Sequence, residues 1–125
     1  MGKNHSSKFL ATVEQSRKVI NECDIDQFSV MLNDGAQLIV IDVREQHEFD
    51  AGCFERALHL SKGVIERDIE KHPISEEDRI VLYCGGGFRS ALAAESLARM
   101  GYANVYSLWG GWRSLVAAGL ATQNQ

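Results

Sequence analysis

The stretch of this sequence best suited to chemistry is Cys84-Gly85-Gly86-Gly87-Phe88-Arg89-Ser90. A thiol attacks only as its thiolate, so a reactive cysteine needs surroundings that favour negative charge. Three consecutive glycines let the backbone take positive φ values and turn its N–H groups toward a common centre. Such an array, backed by a helix N-terminus at Ser90, cradles an anion. Such dipoles favour the thiolate form of a sulfur at their centre, and Arg89 adds a positive charge and a planar fork for an oxyanion. A lone cysteine at a strand end is more often a small buried residue, and glycine-rich turns are common scaffolding. The combination of Cys, three Gly and Arg at a strand-to-helix junction is what favours a reactive thiol. Neither nucleotide-phosphate pattern is met, because position 90 is Ser where G-x-G-x-x-G needs Gly, and no Gly-Lys-Ser/Thr follows.

The elements that must position this loop can be read along the chain. Phe9, Leu10, Val13 and Arg17 lie at helical spacing behind Ser6 or Ser7, which predicts a helix from about Ser6 to Lys18. Val19-Ile20 then reads as a short strand. Asp24 followed by Gln27 is a capping-box signature for a helix that stops near Asn33-Asp34-Gly35. Leu38-Ile39-Val40-Ile41 is an unbroken, β-branched run, as expected of a strand covered on both faces, and it ends in Asp42-Val43-Arg44. A short helix from Glu45 to Asp50 closed by Gly52, a strand at Ala57 to Leu60 and a charged helix from Val64 to Glu70 follow. Ile80-Val81-Leu82-Tyr83 is the strand that delivers the cysteine. Ser90 to Met100 is a strong helix, with Ala93, Ala94, Leu97 and Ala98 on one face, a Glu95/Arg99 pair and Gly101 at its end. Val105 to Leu108 gives a last strand, and Trp112 to Ala118 a last helix. Strands alternating with helices argue for an α/β domain around a parallel sheet. In such sheets ligands bind beyond the carboxyl ends of the strands, where the Cys84 loop falls.

Composition bounds the function. The chain has 125 residues, enough for one domain that buries roughly two-thirds of its unfolded surface. With 45% hydrophobic and 24% charged residues it is neither disordered nor collagen-like. Its longest apolar run, Ile80 to Cys84, is far short of the roughly 18 residues a membrane span needs. Thirteen Lys and Arg against 17 Asp and Glu give a net charge of −4, which offers no footprint for nucleic acid or an anionic membrane. Met1 to Lys8 lacks the apolar core of a signal peptide, so the cytoplasm is the expected compartment. Three cysteines, Cys23, Cys53 and Cys84, are an odd number with no CxxC, so free thiols are expected rather than a disulfide framework or zinc site. His5, His47, His59 and His72 lack metal-ligand spacing and read as surface or packing residues; no metal and no cofactor is expected. Trp109 and Trp112 flank Gly110-Gly111 and read as core or rim packing.

From about Val19 to Gly119 the sequence resembles the single-domain rhodanese family. The resemblance rests on Leu38 to Glu45 with His47-Glu48-Phe49 and Gly52, on Val81 to Ala91 with its Cys-x4-Arg-Ser loop, and on Leu108-Trp109-Gly110-Gly111-Trp112. It implies a rhodanese-like α/β fold, a five-stranded parallel sheet flanked by helices on both faces, and a cysteine that carries a persulfide. The expected organisation is an N-terminal helical extension over 1–18, the domain over 19–120 and a fraying tail over 121–125. The resemblance makes Cys84 the sulfur-accepting nucleophile and Gly85, Gly86, Gly87, Phe88, Arg89 and Ser90 the substrate-binding loop. Asp42 and Arg44 match a strand-end pair that structures the site or attracts anions, and a salt bridge that merely organises the turn is an equal alternative. Gly110 and Gly111 match a turn near the site mouth. One departure stands out: Cys53-Phe54-Glu55-Arg56-Ala57 replaces the family's frequent His-Ile-Pro-Gly-Ala, which leaves that loop's path open. Cys53 could resolve a Cys84 persulfide, though an incidental small residue is the simpler reading, as it is for Cys23.

The activity so implied is sulfurtransfer: thiosulfate or a persulfide donor gives up sulfane sulfur to the cysteine, and cyanide or a thiol removes it. A protein donor or acceptor is also open. Sulfite leaves without needing a proton, consistent with a loop that carries no acid. One alternative is a sulfur-carrier or docking module without turnover of its own. A second is a cysteine-dependent phosphatase or arsenate reductase, disfavoured because those loops have one more residue between Cys and Arg than the four here, Gly85 to Phe88.

Overall fold

The computed structural model describes residues 5–123. In chain order the elements are α1 (Ser7–Arg17), β1 (Asn21–Cys23), α2 (Ile25–Asn33), β2 (Ile39–Asp42), α3 (Gln46–Ala51), β3 (Gly52–Phe54), β4 (Leu58–His59), α4 (Ile65–Asp68) running into a 3₁₀ turn (Ile69–Lys71), β5 (Arg79–Tyr83), α5 (Phe88–Arg99), β6 (Asn104–Leu108), α6 (Gly111–Ala117) and β7 (Ala121–Gln123). Five strands form one sheet in the order β1-β6-β5-β2-β4, every neighbouring pair parallel. The two unbroken apolar runs are its middle. On β2 and β5, Ile41, Ile80 and Leu82 face α4 and α5, and pack with Ile65, Ile69, Ala93, Ala94 and Leu97. Val40, Val81 and Tyr83 face the other way, toward Phe28 of α2 and Leu115 of α6. A strand buried on both faces has no place for polar residues, which is why these runs show no alternation.

The strand order reverses between β5 and β2. From β2 the chain moves outward to β4, and from β5 it moves outward to β6 in the opposite direction. The loops after β2 and β5 therefore lead in opposite directions, and in open α/β sheets ligands bind beyond the carboxyl ends of strands at such a reversal.

Three expectations shift. The first strand lies at Asn21–Cys23 rather than Val19-Ile20: Val19 is exposed in the turn after α1, while Cys23 is buried opposite Leu108. An edge strand tolerates polar residues, so β-branched character pointed two residues too early. The segment 53–57, left without a path by the sequence, contributes β3. The tail expected to fray instead supplies β7, antiparallel to β3 with Gly52 opposite Gln123. Met1 to Asn4 of the leader reading, and Asn124 and Gln125 of the tail, lie outside the described residues. Among the described residues no helix is long and apolar enough to cross a membrane.

Helix α1 lies against α5. The buried hydroxyl of Ser16 donates to Glu95 at 2.6 Å, the stronger use of the carboxylate that the sequence paired with Arg99, which stands 3.8 Å away. At its other end His5 and Phe9 meet Phe88, with ring centroids 4.9 and 6.3 Å apart. Arg17 stacks 4.0 Å over Trp109. The N-terminal helix thus walls one side of the glycine loop.

Candidate active site

Strand β5 carries Cys84 to the sheet's carboxyl edge and leaves it 1% exposed. The chain then turns through Gly85, Gly86 and Gly87, and α5 begins at Phe88, two residues before the sequence placed it. The cap residue Gly87 has φ +113°, a left-handed conformation that favours glycine. No side chain of the cap residue satisfies the helix's first N–H groups. The sulfur does so instead: Cys84 Sγ accepts the N–H of Gly87 at 3.2 Å and that of Ser90 at 3.3 Å. A helix N-terminus carries partial positive charge, so the acceptor it prefers is an anion. Sγ also lies 3.5 Å from Ser90 Oγ, which is itself 2.7 Å from Ser107 Oγ on β6; both serines are fully buried.

The inward-facing amides have a cause on the outer side of the loop. If N–H groups point at the sulfur, the carbonyls must find donors elsewhere, since a buried unpaired carbonyl is costly. The start of α6 supplies them. Trp112 N–H donates to Cys84 O at 2.7 Å, Gly110 N–H to Gly86 O at 3.0 Å and Arg113 N–H to Gly85 O at 3.3 Å. Gly110-Gly111 makes this approach feasible. Gly111 has φ +46°, and a Cβ there would run into the Cys84 carbonyl oxygen and come within 3.0 Å of Gly85 C. Gly111→Ala should therefore cost about 2–3 kcal/mol of stability through strain and overlap, and slow alkylation of Cys84. Urea unfolding and iodoacetamide kinetics check this, and an alanine variant matching the parent in both would show that the clamp does not shape the loop.

Asp42 and Arg44 stand beside the loop in the turn after β2, 0% and 4% exposed. Asp42 accepts from Arg44 Nη2 at 2.7 Å and Nε at 3.0 Å, and from its backbone N–H at 2.9 Å. Arg44 also donates to Gly52 O at 2.6 Å, lies 4.4 Å over Trp112, and its own carbonyl contacts His59 Nε2 at 2.8 Å. Burial opposes the guanidinium's charge, but the hydrogen bonds and charge of Asp42 prevail and raise its pKa. Arg44 thereby ties together the turn after β2, the start of β3 and the α6 segment that clamps the loop. His59 is packed under Phe49, as a packing residue should be.

Arg89 is placed differently from expectation. Its fork is occupied by Glu48 of α3, at 2.8 and 3.2 Å, so the charge offered to an oxyanion is already paired. Glu48 also accepts the Glu45 N–H at 3.0 Å, closing the α3 capping box. The Arg89 hydrogen bond holds the Glu48 carboxyl at about 2, with the Glu45 amide and the Arg89 charge assisting against burial. A carboxyl depressed in the folded state stabilises the fold above its unfolded pKa near 4.5, and that contribution disappears as pH falls toward 2. Glu48→Gln should flatten the acid limb of a stability–pH curve between those values by up to about 1 kcal/mol, the pair being partly exposed. Unchanged acid denaturation would contradict the pairing.

The sequence brought Cys84, the glycines, Phe88, Arg89, Ser90, Asp42 and Arg44 to one place, and so does the fold. It did not assign Glu48 or Ser107 a part. Ser107 left a signal, being the buried polar residue in Val105-Tyr106-Ser107-Leu108; Glu48 stood in the capping-box position after Glu45. Of the other thiols, Cys53 is half-buried on β3, and Cys23 is buried at the end of β1. Burial, then the charges of Asp24 and Glu22, push the Cys23 thiol up to about 12, which leaves it unreactive near neutrality. All three are free. Among the described residues no group of His, Cys, Asp and Glu could hold a metal ion.

Residues 24–118 match the rhodanese-like domain family. A mitochondrial protein of Schizosaccharomyces pombe, provisionally named a thiosulfate sulfurtransferase, is 34% identical over 86 residues, covering 59% of this chain and 60% of that protein. The tRNA uridine(34) hydroxylase of Yersinia pestis is 33% identical over 92 residues, covering 69% of this chain and 25% of the enzyme. The chain thus spans less than two-thirds of either relative's length. The solution structure of the polysulfide-sulfur transferase homodimer of Wolinella succinogenes superimposes with a TM-score of 0.79 at 24% identity, covering 95% of this chain and 89% of that one.

Proposed function

The chain belongs to the rhodanese-like domain family, and we propose that it is a sulfurtransferase that carries sulfane sulfur on Cys84 from thiosulfate or a related donor to a thiol or cyanide. The observation that carries this reading is the pair of amides on the Cys84 sulfur, Gly87 N–H at 3.2 Å and Ser90 N–H at 3.3 Å, at the N-terminus of α5. The Cys84 thiolate attacks the outer sulfur of thiosulfate. A new S–S bond forms as the donor's S–S bond breaks, and its electron pair leaves on sulfite. The persulfide anion stays in the same field of fixed dipoles, which need not reorganise as charge moves one atom outward. An acceptor thiolate or cyanide then attacks that outer sulfur, and Cys84 departs as the thiolate.

Neither step requires a proton from the protein. Glu48, the carboxyl paired with Arg89 of the loop, is held ionised near neutrality by that pairing, which disfavours it as an acid. That suits sulfite, a stable anion on departure, and suits an alkoxide or phenoxide leaving group poorly. Together with the short loop it favours sulfur transfer over phosphoester hydrolysis. In thiol form Cys84 donates to Ser90 Oγ, and on ionisation that hydroxyl can reverse and donate, its oxygen held by Ser107. Three unpaired thiols suit a reducing compartment, and we take this to be the cytoplasm.

The test is incubation with thiosulfate followed by intact mass and sulfite determination. One sulfur gained per chain with stoichiometric sulfite supports the reading. A folded protein that gains none, from thiosulfate or polysulfide, fits a docking module instead.

A further inference from the structure

The arginines around the loop are not equally available. Arg17 is held by Glu22 at 2.9 Å and Glu14 at 3.1 Å, Arg44 by Asp42, and Arg89 by Glu48. Arg113, in the first turn of α6, has no ion pair among the described residues. Its backbone is fixed to the loop through Gly85 O, and its guanidinium lies against Gly86: a Cβ on that glycine would meet Nη1 at 3.4 Å and Cζ at 3.8 Å. The residue is solvent-exposed, and its guanidinium stands beside Gly86 of the loop. Gly86 leaves room for it, and any larger residue there would compete for the same space.

Resting on the sulfurtransfer reading, we propose that Arg113 is the residue that selects an anionic donor, meeting the sulfonate end of thiosulfate at the rim while its outer sulfur faces Cys84. The sulfonate carries the donor's charge away from the reacting sulfur. An attacking thiolate and a dianion repel each other, and a cation beside the donor's trailing end offsets that repulsion on entry. Arg89 cannot take this part while Glu48 fills its fork. Because the contact is made by bound donor and transition state alike, removing it shows in KM rather than kcat.

The experiment compares thiosulfate, a dianion, with methanethiosulfonate, a monoanion that delivers the same sulfur with methanesulfinate leaving. Arg113→Gln should raise the KM for thiosulfate about fivefold, raise that for methanethiosulfonate less, and weaken the dependence on ionic strength. Arg113→Lys should recover most of the loss, because a lysine keeps the charge. Unchanged KM values in Arg113→Gln, equal losses on both donors, or a lysine variant no better than glutamine would each overturn the assignment. Failure of the underlying reading looks different: the unmodified protein itself then takes no sulfur from either donor.

Discussion

Replacing Cys84 with serine is expected to eliminate the mass gain from thiosulfate and to lower sulfite release by at least about 10⁴-fold, the scale on which a covalent catalyst loses rate with its nucleophile. A serine hydroxyl is not ionised near neutrality, and an O–S adduct is no substitute for a persulfide. The variant should still fold, since a serine oxygen can accept the Gly87 and Ser90 N–H groups that Sγ accepts in the parent. Cys84→Ala removes that acceptor altogether and should cost about 1 kcal/mol besides the activity, as loss of a helix cap does. Melting curves for both variants separate the two effects. Sulfur uptake persisting in Cys84→Ser would transfer the role to Cys53, the half-buried thiol on β3.

Asp42→Asn is expected to destabilise the fold by about 3–5 kcal/mol, because it leaves the Arg44 guanidinium charged, 4% exposed and without its counter-ion. The amide keeps the shape but offers one acceptor oxygen where Arg44 now uses two. Urea unfolding measures the loss, and a shift below about 1 kcal/mol would mean that Trp112 and Gly52 O suffice for the cation. Joint replacement of the pair by Leu and Met should cost less than either single change, since nothing charged is then buried alone. Sulfur uptake should fall with Asp42→Asn as well, through the α6 segment that Arg44 braces against the loop. In the structure the pair is a buried salt bridge: Arg44 touches three segments, and its charge is paired with Asp42.

The parts of the fold visible in the sequence are those whose cause is local. Val40, Ile41 and Ile80 to Tyr83 read as strands because both faces of β2 and β5 are covered. The box at Asp24 and Gln27 forms as written, at 2.8 and 2.9 Å, because its partners lie three residues apart. The glycine loop was visible because its residue types have few other uses together. What could not be read depends on distant partners. Strand β3 is three residues long and exists through β7, nearly 70 positions away, in a polar tail with no strand character of its own. Arg89 has the same fork whether it faces a substrate or Glu48, and only the packing of α3 decides between them. Ser107 reaches Ser90 through the β5–β6 register, which no local pattern encodes.

The atom proposed to react is also a structural atom. Because Cys84 Sγ caps the first turn of α5, the fold and the proposed chemistry share a single acceptor, and only a residue that still accepts both N–H groups can separate them. A descendant that abandoned turnover and survived as an adaptor would still need something to receive those two N–H groups. Aspartate or serine at position 84 would serve with least disturbance, whereas a bulky apolar residue would unravel the helix start. The residue found there in an inactive copy would therefore reveal whether the loop was preserved for its shape or left to decay.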